Sequence, residues 1–195
     1  MSIWSGRRFD NAFKNYSEIE EYDENGNRHI KVVYYGTYYQ ANLSDSSRKL
    51  HKALFAVLIL LGLGLVITAS AIDIPSNKVV YVTIFTALIV IVSLAILGFA
   101  YYYITSPTEM DHRHFVFNHK VFPRLTLTAS ILSTALCLSV LSSLIITHVS
   151  PSGLFFLSFV LSLFGAICFF SVFLIEIKTV YNMRNATEYD DNLAD

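Results

Sequence analysis

The feature that most constrains this chain is residues 125–175, a run of fifty-one residues without a single Asp, Glu, Lys or Arg. An α-helix rises about 1.5 Å per residue, so about 20 apolar residues cross a hydrocarbon core about 30 Å thick. The run is therefore long enough for two membrane-spanning helices. Helix breakers collect at its centre, in residues 148–153, which include Pro151 and Gly153, and they predict the turn between the two helices.

Two more uncharged blocks precede this run, and the composition agrees with a membrane location. Apolar residues make up 54% of the chain and charged residues 15%, whereas about a quarter of the residues of a soluble domain are charged. We predict an all-α integral membrane fold of four transmembrane helices, arranged as two antiparallel hairpins. The transmembrane domain is 53–177, preceded by an N-terminal cytoplasmic segment, 1–52, and followed by a cytoplasmic acidic tail, 178–195. The predicted spans are 53–72, 79–104, 125–147 and 154–177.

The N-terminal segment carries the signal of a β-hairpin. Asn25-Gly26 lies between residues 18–22 and 29–35, and this dipeptide is the strongest short-range hairpin signal because both turn positions tolerate a positive φ. A lone hairpin is marginally stable, so it either packs on the rest of this chain or docks a partner. The candidate docking residues are four tyrosines, whose apolar rings and polar tips suit a headgroup boundary or a protein interface: Tyr34, Tyr35, Tyr38 and Tyr39.

The distribution of basic residues predicts the orientation in the membrane. With four spans, both termini and the middle loop, 105–124, lie on one side. Of the fourteen Lys and Arg residues, only Lys78 falls in one of the short turns on the other side. Because basic residues are retained in the cytoplasm, we predict a multi-pass protein whose N- and C-termini are both cytoplasmic. The middle loop is expected to lie on the membrane surface.

Small and hydroxyl side chains mark one face of the fourth span and two faces of the third. We predict that the outer halves of these spans pack together through Ser142 and Ser158, which lie at similar depth. The polar stripe on the cytoplasmic half of the third span, which ends at Cys137, is expected to face the first two spans or another subunit. The alternative is that this stripe lines a polar conduit. The predicted helix-packing residues are Thr126, Ser130, Ser133, Thr134 and Ser142 in the third span and Ser158, Ser162, Gly165 and Ala166 in the fourth.

Few ionisable residues lie in or near the spans. Glu176, in the last turn of the fourth span beside Lys178, is expected to be an interfacial anchor. Three histidines of the middle loop, His112, His114 and His119, are weak candidates for a metal site. Their spacing matches no closed zinc pattern, and a solvated polar loop is the alternative. The sequence indicates no cofactor.

The sequence contains no recognisable catalytic motif: no nucleophile elbow, zinc-protease motif, phosphate loop or pair of intramembrane carboxylates. The net charge of −1 gives no attraction to nucleic acid. We therefore predict a non-enzymatic four-span membrane protein that acts as an accessory, scaffold or regulatory subunit, through helix packing and a cytoplasmic docking segment. Its expected partners are the lipid bilayer and another membrane protein or a second copy of the chain. The alternative is an oligomeric channel or small carrier lined by the Ser and Thr residues of the third span.

Overall fold

The computed structural model of the chain describes residues 15–22, 28–34, 36–147 and 152–185. These residues form two compact units. The helical unit comprises residues 43–105 and 117–179, and the sheet unit comprises the described parts of 15–42, 106–116 and 180–185. Several predicted features lie outside the described residues: the Asn25-Gly26 turn, Tyr35, the turn at 148–151 and the end of the tail beyond residue 185.

The described chain is mainly helical, which confirms the predicted helical character of the fold, and it also contains short strands. Its elements follow in the order β1 (Tyr16–Tyr22), β2 (Arg28–Tyr34), β3 (Thr37–Ala41), α1 (Asp45–Ala71), a 3₁₀ turn (Pro75–Lys78), α2 (Val80–Thr105), β4 (Glu109–Met110), the short helix α3 (His112–Phe115), a π-helical segment (Val116–Val121), α4 (Phe122–Thr147), α5 (Gly153–Lys178) and β5 (Tyr181–Asn185).

Four helices are long and apolar enough to cross a membrane, by length and composition, as expected of a multi-pass membrane protein: α1, α2, α5 and the helical run that contains α4. The bounds of α2, α4 and α5 follow the predicted spans closely. Two starts differ: the helical run that contains α4 begins at His112 instead of residue 125, and α1 begins at Asp45 instead of residue 53. Ser44 caps this earlier start, because its Oγ accepts a hydrogen bond of 3.3 Å from the N–H of Ser47. Asp45 in the first turn further suits the positive end of the helix dipole.

Hydrogen bonds between helices show how they pair. Lys52 Nζ, near the start of α1, donates to the carbonyl oxygen of Ile104, near the end of α2, at 2.9 Å. Ser130 Oγ of α4 donates to the carbonyl oxygen of Ala166 in α5, at 3.0 Å. Cys137 Sγ lies farther along α4 and donates to Phe159 O at 3.6 Å. Phe159 is nearer the start of α5 than Ala166 is. Both helix pairs therefore run antiparallel.

Helix α5 also packs on α1, and two glycines set the closest approach of their backbones. A Cβ built on Gly165 would lie 2.5 Å from Val66 Cγ2 and 3.2 Å from the carbonyl oxygen of Gly62. Farther toward the start of α5, Ser158 Oγ donates to the carbonyl oxygen of Ala69 at 2.9 Å. Small residues at this crossing let the two backbones approach closely, as is common between membrane helices.

The sheet unit contains the predicted β-hairpin. Strands β1 and β2 pair antiparallel, with Tyr16 opposite Tyr34 at one end and Tyr22 opposite Arg28 at the other. This register confirms the two strands that flank the Asn-Gly dipeptide.

A second, three-stranded sheet has the order β4-β3-β5. Its central strand β3 pairs antiparallel with β4 at Tyr39↔Met110 and with β5 at Tyr39↔Met183. The sheet joins segments that precede α1, follow α2 and follow α5. The sequence predicts none of the three strands β3, β4 and β5, because segments of two to five residues next to helix ends give no clear alternating pattern. The middle loop, 105–124, therefore contains the strand β4, the short helix α3 and the π-helical segment.

We predict that Gly165→Ala lowers the free energy of unfolding by about 1–3 kcal/mol, because the added methyl group must displace Val66 and the α1 backbone. Gly64→Ala is the matched control, since a Cβ at Gly64 meets no atom within 4 Å. Its effect should stay below about 1 kcal/mol. Unfolding by SDS in mixed micelles, followed by circular dichroism, measures both effects, and equal stability of the two variants would contradict the close crossing.

Candidate functional site

A buried carboxylate lies at one end of the helical unit. Glu176, near the end of α5, has 0% of its surface exposed. Its Oε2 accepts a hydrogen bond of 2.9 Å from the hydroxyl of Tyr103, near the end of α2. Its Oε1 lies 3.4 Å from Nδ1 of His119 in the π-helical segment. Two elements besides α5 therefore place a partner on this carboxylate.

His119 lies in the π-helical segment, and Pro123 follows two residues after that segment ends. Proline has no N–H, so the carbonyl group of His119 has no backbone donor four residues ahead. The next backbone donor, the N–H of Arg124, lies five residues ahead, which is the spacing of a π-helix. Such wide turns occur frequently at functional sites.

The hydrogen-bonded groups continue from Tyr103 to α1. The Tyr103 hydroxyl lies 3.3 Å from Nδ1 of His51. The Tyr103 ring also stacks on Phe55, with ring centres 4.9 Å apart, and on Phe122, at 5.4 Å, and both phenylalanines are fully buried. Aromatic side chains thus surround one side of the polar groups. We call His51, Tyr103, His119 and Glu176 the carboxylate network.

Burial decides what the carboxylate network can do chemically. A carboxylate removed from water loses solvation free energy of several kcal/mol, which hydrogen bonds must replace. Tyr103 donates such a bond, and His119 lies close enough for a longer one. Because Glu176 has no exposed surface, a substrate cannot reach it in this arrangement. The geometry therefore favours a role in holding α1, α2, the π-helical segment and α5 together.

Glu176 was expected to be an interfacial anchor, either hydrated or paired. Its side chain is paired with Tyr103 and His119, and it is buried and does not reach solvent at the helix end. Sequence reasoning also missed His51 and Tyr103. Their position in the sequence could have indicated them, because all four residues of the carboxylate network lie within about two helical turns of the predicted cytoplasmic ends of the spans.

The predicted polar stripe of α4 faces α5 at two positions, instead of the first two spans. Ser130 and Cys137 both donate to backbone carbonyl groups of α5. Thr126 and Ser133 are fully buried, whereas Thr134 is exposed. Ser133 Oγ has no hydrogen-bond partner within the described residues.

The expected contact between Ser142 and Ser158 is replaced by two separate contacts. Ser142 Oγ donates to the hydroxyl of Tyr81 in α2, at 3.2 Å. Ser158 Oγ donates to the carbonyl oxygen of Ala69 in α1. The two serines therefore face different helices, because similar depth along a span does not determine which neighbour a side chain meets.

The remaining predicted packing residues of α5 are buried. Ser162, Gly165 and Ala166 lie with Ser158 on the buried side of the helix. Ser162 Oγ is a second buried hydroxyl that has no hydrogen-bond partner among the residues described.

The predicted docking tyrosines contact other residues of the sheet unit. Tyr34 is buried, and its hydroxyl accepts a hydrogen bond of 3.1 Å from the backbone N–H of His112. Tyr39 stacks on Phe115, with ring centres 4.0 Å apart. The Tyr38 hydroxyl donates to the carbonyl oxygen of Tyr34 at 3.4 Å. These tyrosines help to build the unit, and their role in docking remains a prediction.

The three histidines considered for a metal site have different neighbours. His112 Nδ1 lies 3.5 Å from the Tyr39 hydroxyl, and His114 Nδ1 lies 2.8 Å from Asp111 Oδ1. His119 belongs to the helical unit and its carboxylate network. Across the described ranges, no group of three His, Cys, Asp or Glu side chains is arranged to hold a metal ion.

Asp111 caps the short helix α3. One of its oxygens accepts a hydrogen bond of 2.7 Å from the N–H of His114, and the other accepts one from the Tyr16 hydroxyl. Burial by itself raises the pKa of Asp111, but hydrogen bonds from the His114 backbone, Tyr16 and the His114 ring outweigh it and lower the pKa. Burial, followed by the hydrogen bond to Asp111, raises the pKa of Tyr16. At neutral pH, Asp111 is therefore ionised and Tyr16 protonated.

Comparison with known proteins gives no match to this chain, whether with family models, curated proteins or solved structures.

We predict that Tyr103→Phe lowers the free energy of unfolding by about 1–3 kcal/mol, because the buried carboxylate loses a donor. Tyr101→Phe is the matched control: Tyr101 lies in the same helix and is 71% exposed. Its effect should stay within about 0.5 kcal/mol. SDS unfolding of the two variants measures the difference.

A double-mutant cycle of Tyr103→Phe with Glu176→Gln isolates the interaction between the two side chains. We expect a coupling energy of at least about 1 kcal/mol. Additive effects of the two substitutions would contradict a hydrogen bond between them.

Proposed function

We propose that this chain is a non-enzymatic multi-pass membrane protein that works by association with another membrane protein or with a second copy of itself. In this proposal α1, α2, α4 and α5 cross the bilayer as two antiparallel hairpins. The chain then serves as an accessory, scaffold or regulatory subunit.

One observation carries the proposal: most polar groups of the helical unit are bonded inside that unit. Ser130 and Ser158 donate to carbonyl groups of neighbouring helices, and both oxygens of Glu176 have partners. A conduit needs polar groups that face water, and an enzyme needs an accessible reacting group. Apart from the buried hydroxyls of Ser133 and Ser162, the polar side chains of this interior already have hydrogen-bond partners, which leaves the outer surface as the place of function.

The same burial argues against a channel lined by the third span. Thr126, Ser133 and Cys137 are at most 3% exposed. To line a conduit, α4 would have to turn this face away from α5 and break the bonds of Ser130 and Cys137. We therefore favour association over transport.

The three-stranded sheet supports the proposed topology. Its strands come from segments before α1, after α2 and after α5. Paired strands lie on one side of a bilayer, because an open sheet does not extend through hydrocarbon. An even number of crossings must then separate these segments. The Lys and Arg residues that flank the helices make that side the cytoplasm.

The proposed contact for a partner helix is a groove between α4 and α5 on the outer surface. Both hydroxyls in the groove, those of Ser130 and Thr134, already donate to backbone carbonyl groups. An apolar helix with small side chains therefore fits there without leaving a polar group unpaired. The groove has a volume of about 340 Å³ and is lined by Leu127, Ser130, Ile131, Thr134, Ala135, Leu138 and Phe170.

We predict that a benzophenone amino acid at Ile131, in the groove, forms a discrete cross-linked adduct in native membranes. The matched control is the same amino acid at Ile91 of α2, since the two isoleucines are exposed to a similar extent, 60% and 64%. The adduct mass distinguishes a second copy from another protein. Absence of any adduct, or equal adducts from both positions, would contradict association through this groove.

The proposed orientation predicts which helix ends a membrane-impermeant maleimide reaches. Both cysteine variants are made in a protein in which Cys137 and Cys168 are replaced by Ala. The Lys78→Cys variant should be labelled in intact cells, whereas the Lys49→Cys variant should be labelled only after the cells are permeabilised. Both lysines are exposed in the structure. The reverse pattern would overturn the orientation, and labelling of both in intact cells would overturn the four-span topology.

A further inference from the structure

The helical unit carries an excess of basic residues at one end. Its sequence contains seven Lys and Arg residues but only three acidic ones, Asp45, Asp73 and Glu176. Asp45 pairs with Arg48 at 2.9 Å, and Asp73 pairs with Lys78 at 2.9 Å. Glu176 is enclosed in the carboxylate network. Two of the three acidic residues of the unit therefore pair with Arg48 and Lys78, and the third is enclosed.

Hydrogen bonds show which helix ends lie together at the carboxylate network, and these are the ends that carry most of the Lys and Arg residues of the unit. Lys52 bonds to Ile104 and so joins the start of α1 to the end of α2. Tyr103 and His119 join the end of α2 and the π-helical segment to the end of α5, at Glu176.

Four exposed Lys and Arg side chains lie close to these helix ends. Lys49 lies one turn before Lys52, Lys120 follows His119, and Lys178 lies two residues after Glu176. Arg124, in the first turn of α4, lies four residues after Lys120, and its long side chain can extend toward the helix end. We call Lys49, Lys120, Arg124 and Lys178 the basic belt.

The members of the basic belt have no ion-pair partner within the described residues. All four side chains are exposed, and they lie on three different elements, α1, α5 and the helical run from the π-helical segment into α4. The opposite end of the unit has one exposed cation in the described chain, Lys78, and it is paired. The two ends of the same helices therefore differ in free positive charge.

We propose that the basic belt binds phospholipids with anionic headgroups in the adjacent leaflet. Helices of this length place their ends at the headgroups of a bilayer. The exposed Tyr101 near the end of α2 is an aromatic residue typical of that depth. An anionic leaflet offers negative charge all around the helix ends, which matches cations spread over several elements better than a single compact ligand does.

This inference rests on the proposed insertion of the four helices in a bilayer. Different experimental results would contradict the insertion and the lipid preference. If the helices do not insert, the protein will not assemble into lipid nanodiscs. If only the lipid preference is wrong, the protein will assemble equally well and show no difference between lipids.

The test uses the purified full chain in nanodiscs of phosphatidylcholine alone or mixed with phosphatidylglycerol. We expect phosphatidylglycerol to raise the unfolding temperature by a few degrees, because a ligand that binds the folded state stabilises it. Screening should shrink this shift at high salt. No shift in the wild-type protein would overturn the proposal.

Two variants assign the effect to the belt. The triple variant Lys120→Gln/Arg124→Gln/Lys178→Gln should lose most of the rise in unfolding temperature that phosphatidylglycerol produces. Its affinity for this lipid should fall about 100-fold, since each cation near the surface contributes about fivefold. Lys78→Gln, which removes a cation from the opposite end, should retain the wild-type affinity. Equal losses in the two variants, or none in the triple variant, would overturn the assignment.

Two further controls keep the result decisive. Lys120→Arg/Lys178→Arg preserves the charge and should behave like the wild-type protein, so a loss there would indicate damage to the fold and contradict a purely electrostatic site. Inorganic phosphate added to phosphatidylcholine nanodiscs should not reproduce the shift. If it does, the belt binds free anions and the lipid proposal is wrong.

Discussion

The three-stranded sheet β4-β3-β5 is the constraint on which the arrangement of this chain depends. Its three strands come from the segments before α1, after α2 and after α5, and backbone pairing holds these segments side by side. Backbone groups of such strands cannot pair across hydrocarbon, so the sheet permits only topologies that return the chain to one side after each pair of helices. The proposed assignment of that side to the cytoplasm rests on the basic flanks of the helices. Hydrophobic length and strand pairing, two unrelated properties, both support the proposed four-span arrangement.

Burial of Glu176 connects this topology to the proposed function. The carboxylate sits where α2, α5 and the π-helical segment meet, and its hydrogen bonds favour one packing of those helix ends over others. Farther along the bundle, Ser130 and Ser158 bond to neighbouring backbones in the same inward manner. The polar chemistry of the interior is therefore directed toward holding the bundle together. The proposed function therefore assigns interaction to the outer surface, which has an apolar groove between α4 and α5 and unpaired basic side chains at one end.

The helices and the hairpin were predictable because they depend on local patterns: long uncharged runs, and an Asn-Gly dipeptide between two strand-like segments. Other features depend on which residues meet in space. Strand β4 is two residues long, and only pairing with β3 makes it a strand. Ser142 and Ser158 were expected to meet, but rotation of each helix about its own axis directs them to α2 and α1. The burial and the partners of Glu176 are not predictable for the same reason, since these partners lie 57 and 73 residues away in the sequence.

The most direct test of the central claim is a cysteine cross-link between β3 and β5 in intact membranes. Gln40 and Asn182 are opposite each other in the sheet and both are exposed. A Gln40→Cys/Asn182→Cys variant, with Cys137 and Cys168 replaced by Ala, is oxidised and its membranes are extracted with alkali. The account predicts an intramolecular disulfide in protein that stays in the membrane pellet. Two cysteines that never join, and that react with an impermeant maleimide from opposite sides of the membrane, would contradict it.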